Sequence, residues 1–370
     1  MAKITHARAF MVDLEPKVLR TDAIQSFKSQ ETIFVELRDG DGARGMGYSY
    51  TIGDGGPSVL ALLRHTLLPR LMGQDADTIE AIWRDLLFCS HATAVGPIMS
   101  LALAAIDTAL WDMRGVRTGL PLHRLAGGAK ASVPMYTTEG GWLHISPEAL
   151  AEDALAAREQ GFRGSKVKIG TPTVAGDAAR LGAVRDALGP EYEIMTDANQ
   201  SLTAAEALRR VPMLEGLGIA WFEEPLLSDD IAGHARLQAR SCVPVAVGES
   251  LYSAGQFADY IAQGACGIVQ ADVARVGGIT PWLKIAHLAE AHNMAICPHF
   301  LMELHVSLVC AVPNAPWLEF IPQLDDVAAP MVRAGGMAIA PTAAGLGIDW
   351  DHDKLAALTS AGSAFEIKEG

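Results

Sequence analysis

Between Lys166 and Glu319, side chains able to bind a metal or move a proton recur at nearly even spacing. Each closes a short apolar run: Lys166 and Lys168, then Asp197, Glu223, Glu249, Asp272, His299 and Glu319. From Lys168 the steps are 29, 26, 26, 23, 27 and 20 residues. A strand plus the helix that returns the chain to the next parallel strand takes about 20 to 30 residues. Each step therefore reads as one strand–helix unit, and so long a series almost forces a closed eight-stranded barrel. The C-terminal strand ends of such a barrel share one mouth, so these charged residues are expected to meet there.

Eight short apolar segments supply the strands, at residues 133–136, 164–169, 192–196, 219–222, 243–247, 267–270, 294–297 and 317–320. Unbroken apolar runs are what strands buried on both faces require. Upstream, residues 4–10 and 32–38 alternate like exposed-sheet strands, with the turn Asp39-Gly40-Asp41-Gly42 after the second. A three-stranded antiparallel meander is expected, followed by helices from Val59 to about Gly127. The fold class is α/β: a TIM-type (β/α) barrel over residues 129–330 with an N-terminal α+β capping domain over 1–128. Residues 331–370 read as an irregular tail packing back on the cap. The loops at residues 20–30 and 48–57, the second dense in glycine, are either lids over the mouth or plain solvent loops.

The chain has 370 residues, 50% hydrophobic and 19% charged, and a formal charge of −14, which suits a globular enzyme. No Lys/Arg block exists to neutralise phosphates, so no nucleic-acid partner is expected. The apolar run from Val95 to Ile106 is too short to span a bilayer, and residues 1–15 carry no export signal, so a cytoplasmic protein without a membrane partner is expected. Five scattered cysteines without a C-x-x-C pair read as reduced thiols. No G-x-G-x-x-G or P-loop supports nucleotide chemistry.

Asp197, Glu223 and Glu249 on consecutive strands would repel one another unless a cation sat among them. Oxygen-only donors favour a hard ion, so Mg2+ is the expected cofactor. Lys166 and Lys168, two apart, face the same side of one strand. Two crowded ammonium groups beside a metal lower each other's pKa, which makes Lys168 a candidate base and leaves Lys166 charged to bind a carboxylate. Across the mouth, Asp272 would orient and strengthen the base His299. Glu319 is either a protonated acid donating to a developing oxyanion or a structural ion-pair partner. Two bases flanking a metal suit removal of the proton alpha to a carboxylate, through an enediolate steadied by the metal, Lys166 and Glu319. His287, His292 and His305 read as ordinary helix residues.

These residues resemble the enolase superfamily and, within it, the mandelate racemase subgroup. Lys166-Val167-Lys168 looks like its K-x-K motif. Thr196-Asp197-Ala198-Asn199-Gln200-Ser201 and Glu223-Glu224-Pro225 look like the surroundings of its first two Mg2+ ligands, and Ala105-Ile106-Asp107-Thr108-Ala109-Leu110-Trp111-Asp112 like its cap helix. The resemblance covers essentially the whole chain. It implies Mg2+ on Asp197, Glu223 and Glu249; catalysis by Lys166, Lys168, Asp272, His299 and Glu319; substrate contacts from Lys166, Asn199 and Glu319; and a homo-oligomer. The expected substrate is a small carboxylate, and the subgroup includes racemases as well as acid-sugar dehydratases. Arg20, Thr21, Asp22, Lys28, Gln30, Thr51, Glu139 and His144 offer partners for sugar hydroxyls, which favours dehydration to a 2-keto-3-deoxy acid. Phe27, Tyr48, Tyr50 and Trp142 leave an apolar pocket open, and with it a racemase, epimerase or cycloisomerase. A barrel that only binds sugar acids would have no use for two opposed bases.

Overall fold

The computed structural model describes residues 3–92 and 96–369, so of the apolar run ending at Ile106 the first residue, Val95, lies outside it. Three antiparallel strands open the chain: β1 (Ile4–Leu14), β2 (Gln30–Asp39) and β3 (Arg44–Ile52). The expected meander gains a fourth strand, because Phe365–Lys368 pairs antiparallel with β1. The tail is thus partly a sheet strand, which alternating Phe365 and Ile367 beside the open edge of β1 explain.

One sheet face packs on the helix Pro97–Thr118, whose alanines at 102, 104, 105 and 109 are fully buried and let the two backbones approach closely. The approach is tightest at Gly47, where an added Cβ would lie 2.2 Å from the Ala109 backbone nitrogen. Next to it, the Tyr48 N–H donates to Thr108 Oγ1 at 3.1 Å, pinning strand to helix. Gly47→Ala must push the two apart, and overpacking of this kind costs about 1–3 kcal/mol. A denaturant melt of the variant is expected to show that loss with an unchanged slope.

The second body is built from β4 (Ser132–Thr137), β5 (Gly164–Lys168), β6 (Glu193–Asp197), β7 (Trp221–Glu223), β8 (Val245–Val247), β9 (Ile268–Val269), β10 (Ala295–Ile296) and β11 (Leu318–Phe320). Parallel ladders join β4 through β10 in chain order, and β11 returns to pair with β4. Among the described residues no ladder joins β10 to β11, so strand pairing does not close the ring. The seam is crossed instead by the Phe300 N–H, which donates to Glu319 Oε2 at 2.8 Å. Met337–Ile339 adds an antiparallel partner to the start of β4.

Several helices between these strands start on a side chain that accepts a first-turn N–H: Ser146, Thr173, Thr203, Asp230 and Ser253. Such caps turn the chain soon after each strand-end residue. The barrel interior is filled by Tyr136, Met195, Trp221, Ala246 and Cys297, with the Tyr136 and Trp221 rings edge to face at 5.2 Å. Apolar filling leaves the polar residues only the strand ends. Among the described residues, no helix is long and apolar enough to cross a membrane.

Candidate active site

β6 ends on Asp197 and β7 on Glu223, neighbours in register, and Glu249 follows β8 by two residues. One oxygen from each of the three lies within 4.8 Å of the others. Glu223 Oε2 accepts from Gln270 Nε2 at 2.7 Å and from Trp221 Nε1 at 3.1 Å, which aims its other oxygen inward. Glu249 Oε2 sits 3.2 Å from His299 Nε2 but is buried without a hydrogen-bond donor. Burial pushes Glu223 up to about 7, although Lys166 pulls against it. An all-oxygen triad with one undonated oxygen and one carboxyl reluctant to ionise fits a hard divalent cation.

The lysines contact this triad from one side. Lys166 Nζ lies 3.0 Å from Glu223 Oε1, 2.8 Å from Glu319 Oε1 and 3.8 Å from Asp197 Oδ2. Lys168 Nζ lies 2.5 Å from Asp197 Oδ2 and donates to Asn199 Oδ1 at 2.9 Å. The expected fall in pKa of Lys168 is not found. Burial, the largest influence, and Lys166 lower it, but Asp197 together with Glu249 and Glu223 outweighs them and the amine is raised above its ordinary value. Four carboxylates around two ammonium groups reverse the sign that the lysine pair alone predicts.

The other side is built around Asp272. Its Oδ2 accepts from His299 Nδ1 at 2.9 Å and from Tyr50 OH at 2.6 Å, while Oδ1 accepts the Ala274 and Arg275 N–H groups at 2.8 and 3.2 Å. Burial opposes its charge, yet the His299 hydrogen bond holds Asp272 down at about 2. His299 is raised above its ordinary value, since Glu249 and Asp272 outweigh the lowering by burial.

Glu319 does not stand as a neutral acid. Burial would raise it, but Lys166 holds it well below the carboxylate range, and it also accepts from Thr138 Oγ1 at 2.5 Å. Of the two readings left open by sequence, the ion pair is the one observed. Among the described residues, five of the six non-glycine positions with positive φ follow these strand ends: Asn199, Gln200, Glu224, Phe300 and Leu301. Backbone strain gathered at one mouth is common at functional sites.

The hairpin Arg20–Thr21/Ser26–Phe27 docks on the loop after β4. Arg20 Nη2 binds Glu139 Oε1 at 2.6 Å, Thr21 Oγ1 meets His144 Nδ1 at 2.7 Å, and Phe27 meets Trp142 edge-on at 5.9 Å. Most polar groups expected to face substrate are thus spent on one another, as are Gln30 with Thr32 and Thr51 with Glu31. Asp22 differs: it is 7% exposed and its Oδ2 has no partner. Tyr48 lies fully buried in the cap core against Phe34 and Trp350. His305 is structural as expected, accepting the Val273 N–H at 3.1 Å, and burial lowers it to about 4. Sequence reasoning missed Thr138 and Gln270, which directly follow the strands Ser132–Thr137 and Ile268–Val269, as well as Arg275 and the hydroxyl of Tyr50, which lie off the barrel strand ends.

Comparison with known proteins agrees with this geometry. A model of enolase C-terminal domain-like sequences matches residues 149–354, and one of the mandelate racemase / muconate lactonizing enzyme N-terminal domain matches residues 7–127. The L-talarate/galactarate dehydratase of Salmonella typhimurium LT2 is 40% identical over 295 residues, 80% of this chain and 74% of that protein. The 3,6-anhydro-alpha-L-galactonate cycloisomerase of Streptomyces coelicolor is 35% identical over 331 residues, 89% of this chain and 91% of the relative. The crystal structure of L-talarate dehydratase from Polaromonas sp. JS666, complexed with Mg and L-glucarate, superposes with a TM-score of 0.95 at 35% identity, covering 100% of each chain. Mg2+ is thus bound in a homologous structure, and Asp197, Glu223 and Glu249 can hold the same ion here. With its cap, its parallel barrel and its carboxylate triad, the chain belongs to the enolase superfamily, in the mandelate racemase subgroup.

Proposed function

We propose that the chain dehydrates an acid sugar to a 2-keto-3-deoxy acid by removing the proton alpha to a carboxylate. One observation carries the reading: Lys168, bound to Asp197, and His299, beside Glu249, flank opposite ends of a single carboxylate triad. Asp197, Glu223 and Glu249 would hold Mg2+, which would supply Lewis-acid charge for a substrate carboxylate and would compete with Lys168 for Asp197. One of the two bases takes the alpha proton. Lys166, held by Glu223 and Glu319, stays charged and faces the developing enediolate. Asn199 keeps the Lys168 amine aimed. The imidazolium of His299 then protonates the departing β-hydroxyl, water leaves, and the enol becomes the ketone.

The unpartnered Asp22 Oδ2 supports a hydroxylated substrate. It lies near enough to Lys168 and Asp197 to feel their charges, and a buried acceptor without a donor is a costly vacancy that a sugar hydroxyl fills. Asp22→Ala is expected to raise KM for the sugar acid about tenfold with a smaller change in kcat. Steady-state kinetics check it, and an unchanged KM would remove Asp22 from the pocket. For the reaction itself, acid sugars including galactarate and L-talarate are incubated with enzyme and Mg2+, and products are read by mass. A product lighter by one water and reactive as a 2-keto acid is expected. An isomer of equal mass would identify an epimerase or cycloisomerase instead.

A further inference from the structure

The cap hydrogen-bonds to the partner of one of the two bases and, among the described residues, makes no hydrogen bond to the other. On the Lys168 side the polar contacts, Asp197 and Asn199, both come from the barrel. On the His299 side, Asp272 Oδ2 is shared between the imidazole and the hydroxyl of Tyr50, which sits near the end of β3 in the cap. We propose that Tyr50 is a positioning residue for His299: its hydroxyl locks the Asp272 carboxylate that orients the imidazole, so this base is complete only with the cap seated. The proposal rests on the two-base reading above.

Asp272 is fully buried and accepts from four donors, so each of its oxygens is fixed on two sides. An ionised carboxylate only accepts, so the proton in the His299–Asp272 bond belongs to Nδ1, which leaves Nε2 free to exchange a proton with substrate. Tyr50 OH in turn accepts from Arg275 Nε at 3.2 Å, and Arg275 Nη1 donates to the Glu249 backbone oxygen at 2.7 Å. One cap hydroxyl therefore ties together the partner of the base and the loop that carries Glu249. The Tyr50 ring packs on Phe300 at 4.8 Å, and Phe300 stacks on His299 at 5.2 Å and 12°. Tyr50→Phe keeps this aromatic stack and removes only the hydroxyl. Asp272 Oδ2 is then held by the imidazole alone, and the ring can turn with it toward Glu249.

The consequence is one-sided, which a general loss of packing would not produce. L-talarate and galactarate differ in configuration at one carbon alpha to a carboxylate, so they offer that proton to opposite sides of the site. Because His299 serves both acids as the proton donor to the leaving hydroxyl, the sides are told apart by alpha-proton exchange in D2O, and the acid whose exchange His299→Asn abolishes is the one whose proton His299 takes. Tyr50→Phe is expected to slow that exchange about 10- to 100-fold, while alpha-proton exchange of the acid handled from the Lys168 side changes less than about threefold. In the Mg2+-loaded protein, the low-field Nδ1–H proton signal that His299→Asn abolishes is expected to shift or broaden in Tyr50→Phe. An equal fall for both acids, or a fall for neither, would overturn the proposal. If wild-type enzyme turns over neither acid, the dehydratase reading fails for them, and the proton signal decides alone: unchanged in Tyr50→Phe, it rules out the positioning role.

Discussion

Lys168→Ala and His299→Asn are each expected to lower turnover by about a thousandfold or more, since positioned acid–base groups contribute on that scale and here act in one sequence. Neither change removes a triad oxygen. In Lys168→Ala the cation nearest Asp197, at 2.5 Å, is gone, so Mg2+ affinity is expected to hold or rise. In His299→Asn, Asp272 keeps the hydroxyl of Tyr50 and two backbone donors, and the fold is expected to survive. Calorimetric Mg2+ titration and thermal melts accompany the kinetics. Rates near wild type in either variant would remove that residue from the chemistry, and loss of Mg2+ binding in both would turn the result into one about the metal site.

The second large effect concerns the triad. Glu249→Gln replaces a charged donor by a neutral one at the oxygen that has no hydrogen-bond donor, and Mg2+ affinity is expected to fall about 10- to 100-fold. The same site sets a pH dependence. The folded pKa of Glu223, about 7, lies above its ordinary value of 4.5, so the metal-free fold keeps a proton that the unfolded chain gives up. Its contribution to stability is therefore present below pH 4.5 and lost as the pH rises to about 7. A cation binds only the ionised form and offsets this loss, whereas Asp197, already held low, adds little proton release. The Mg2+-induced rise in Tm is thus expected to be larger at pH 8 than at pH 5.5, and the reverse order would contradict the assignment.

The strand-end series was legible because a barrel repeats one unit, and each unit ends in the residue that faces the mouth. Asp197, Glu223 and Glu249 meet as the spacing required, and the expected strand segments hold the observed ladders, though these run only two or three residues at β9 and β10 and at β7, β8 and β11. What stayed hidden was pairing across long separations. Tyr50 and Asp272 are 222 residues apart, and Arg20 and Glu139 are 119 apart. No local period records such a bond, so Arg20 looked like a free substrate contact and Tyr50 like pocket wall. The charge state of Lys168 was misread, and that of Glu319 left open, for a related reason. The sign of a pKa shift depends on the whole set of neighbours, and sequence shows only those on the same strand.

The most direct test of the account is exchange of the alpha proton. Wild-type enzyme with Mg2+ in D2O is mixed with galactarate or L-talarate, and recovered acid and product are read by NMR and mass. The account predicts Mg2+-dependent loss of the alpha proton together with formation of a 2-keto acid, both abolished in the Lys168→Ala/His299→Asn double variant. Keto acid formed at the wild-type rate by that double variant, or an alpha proton retained through turnover, would contradict it.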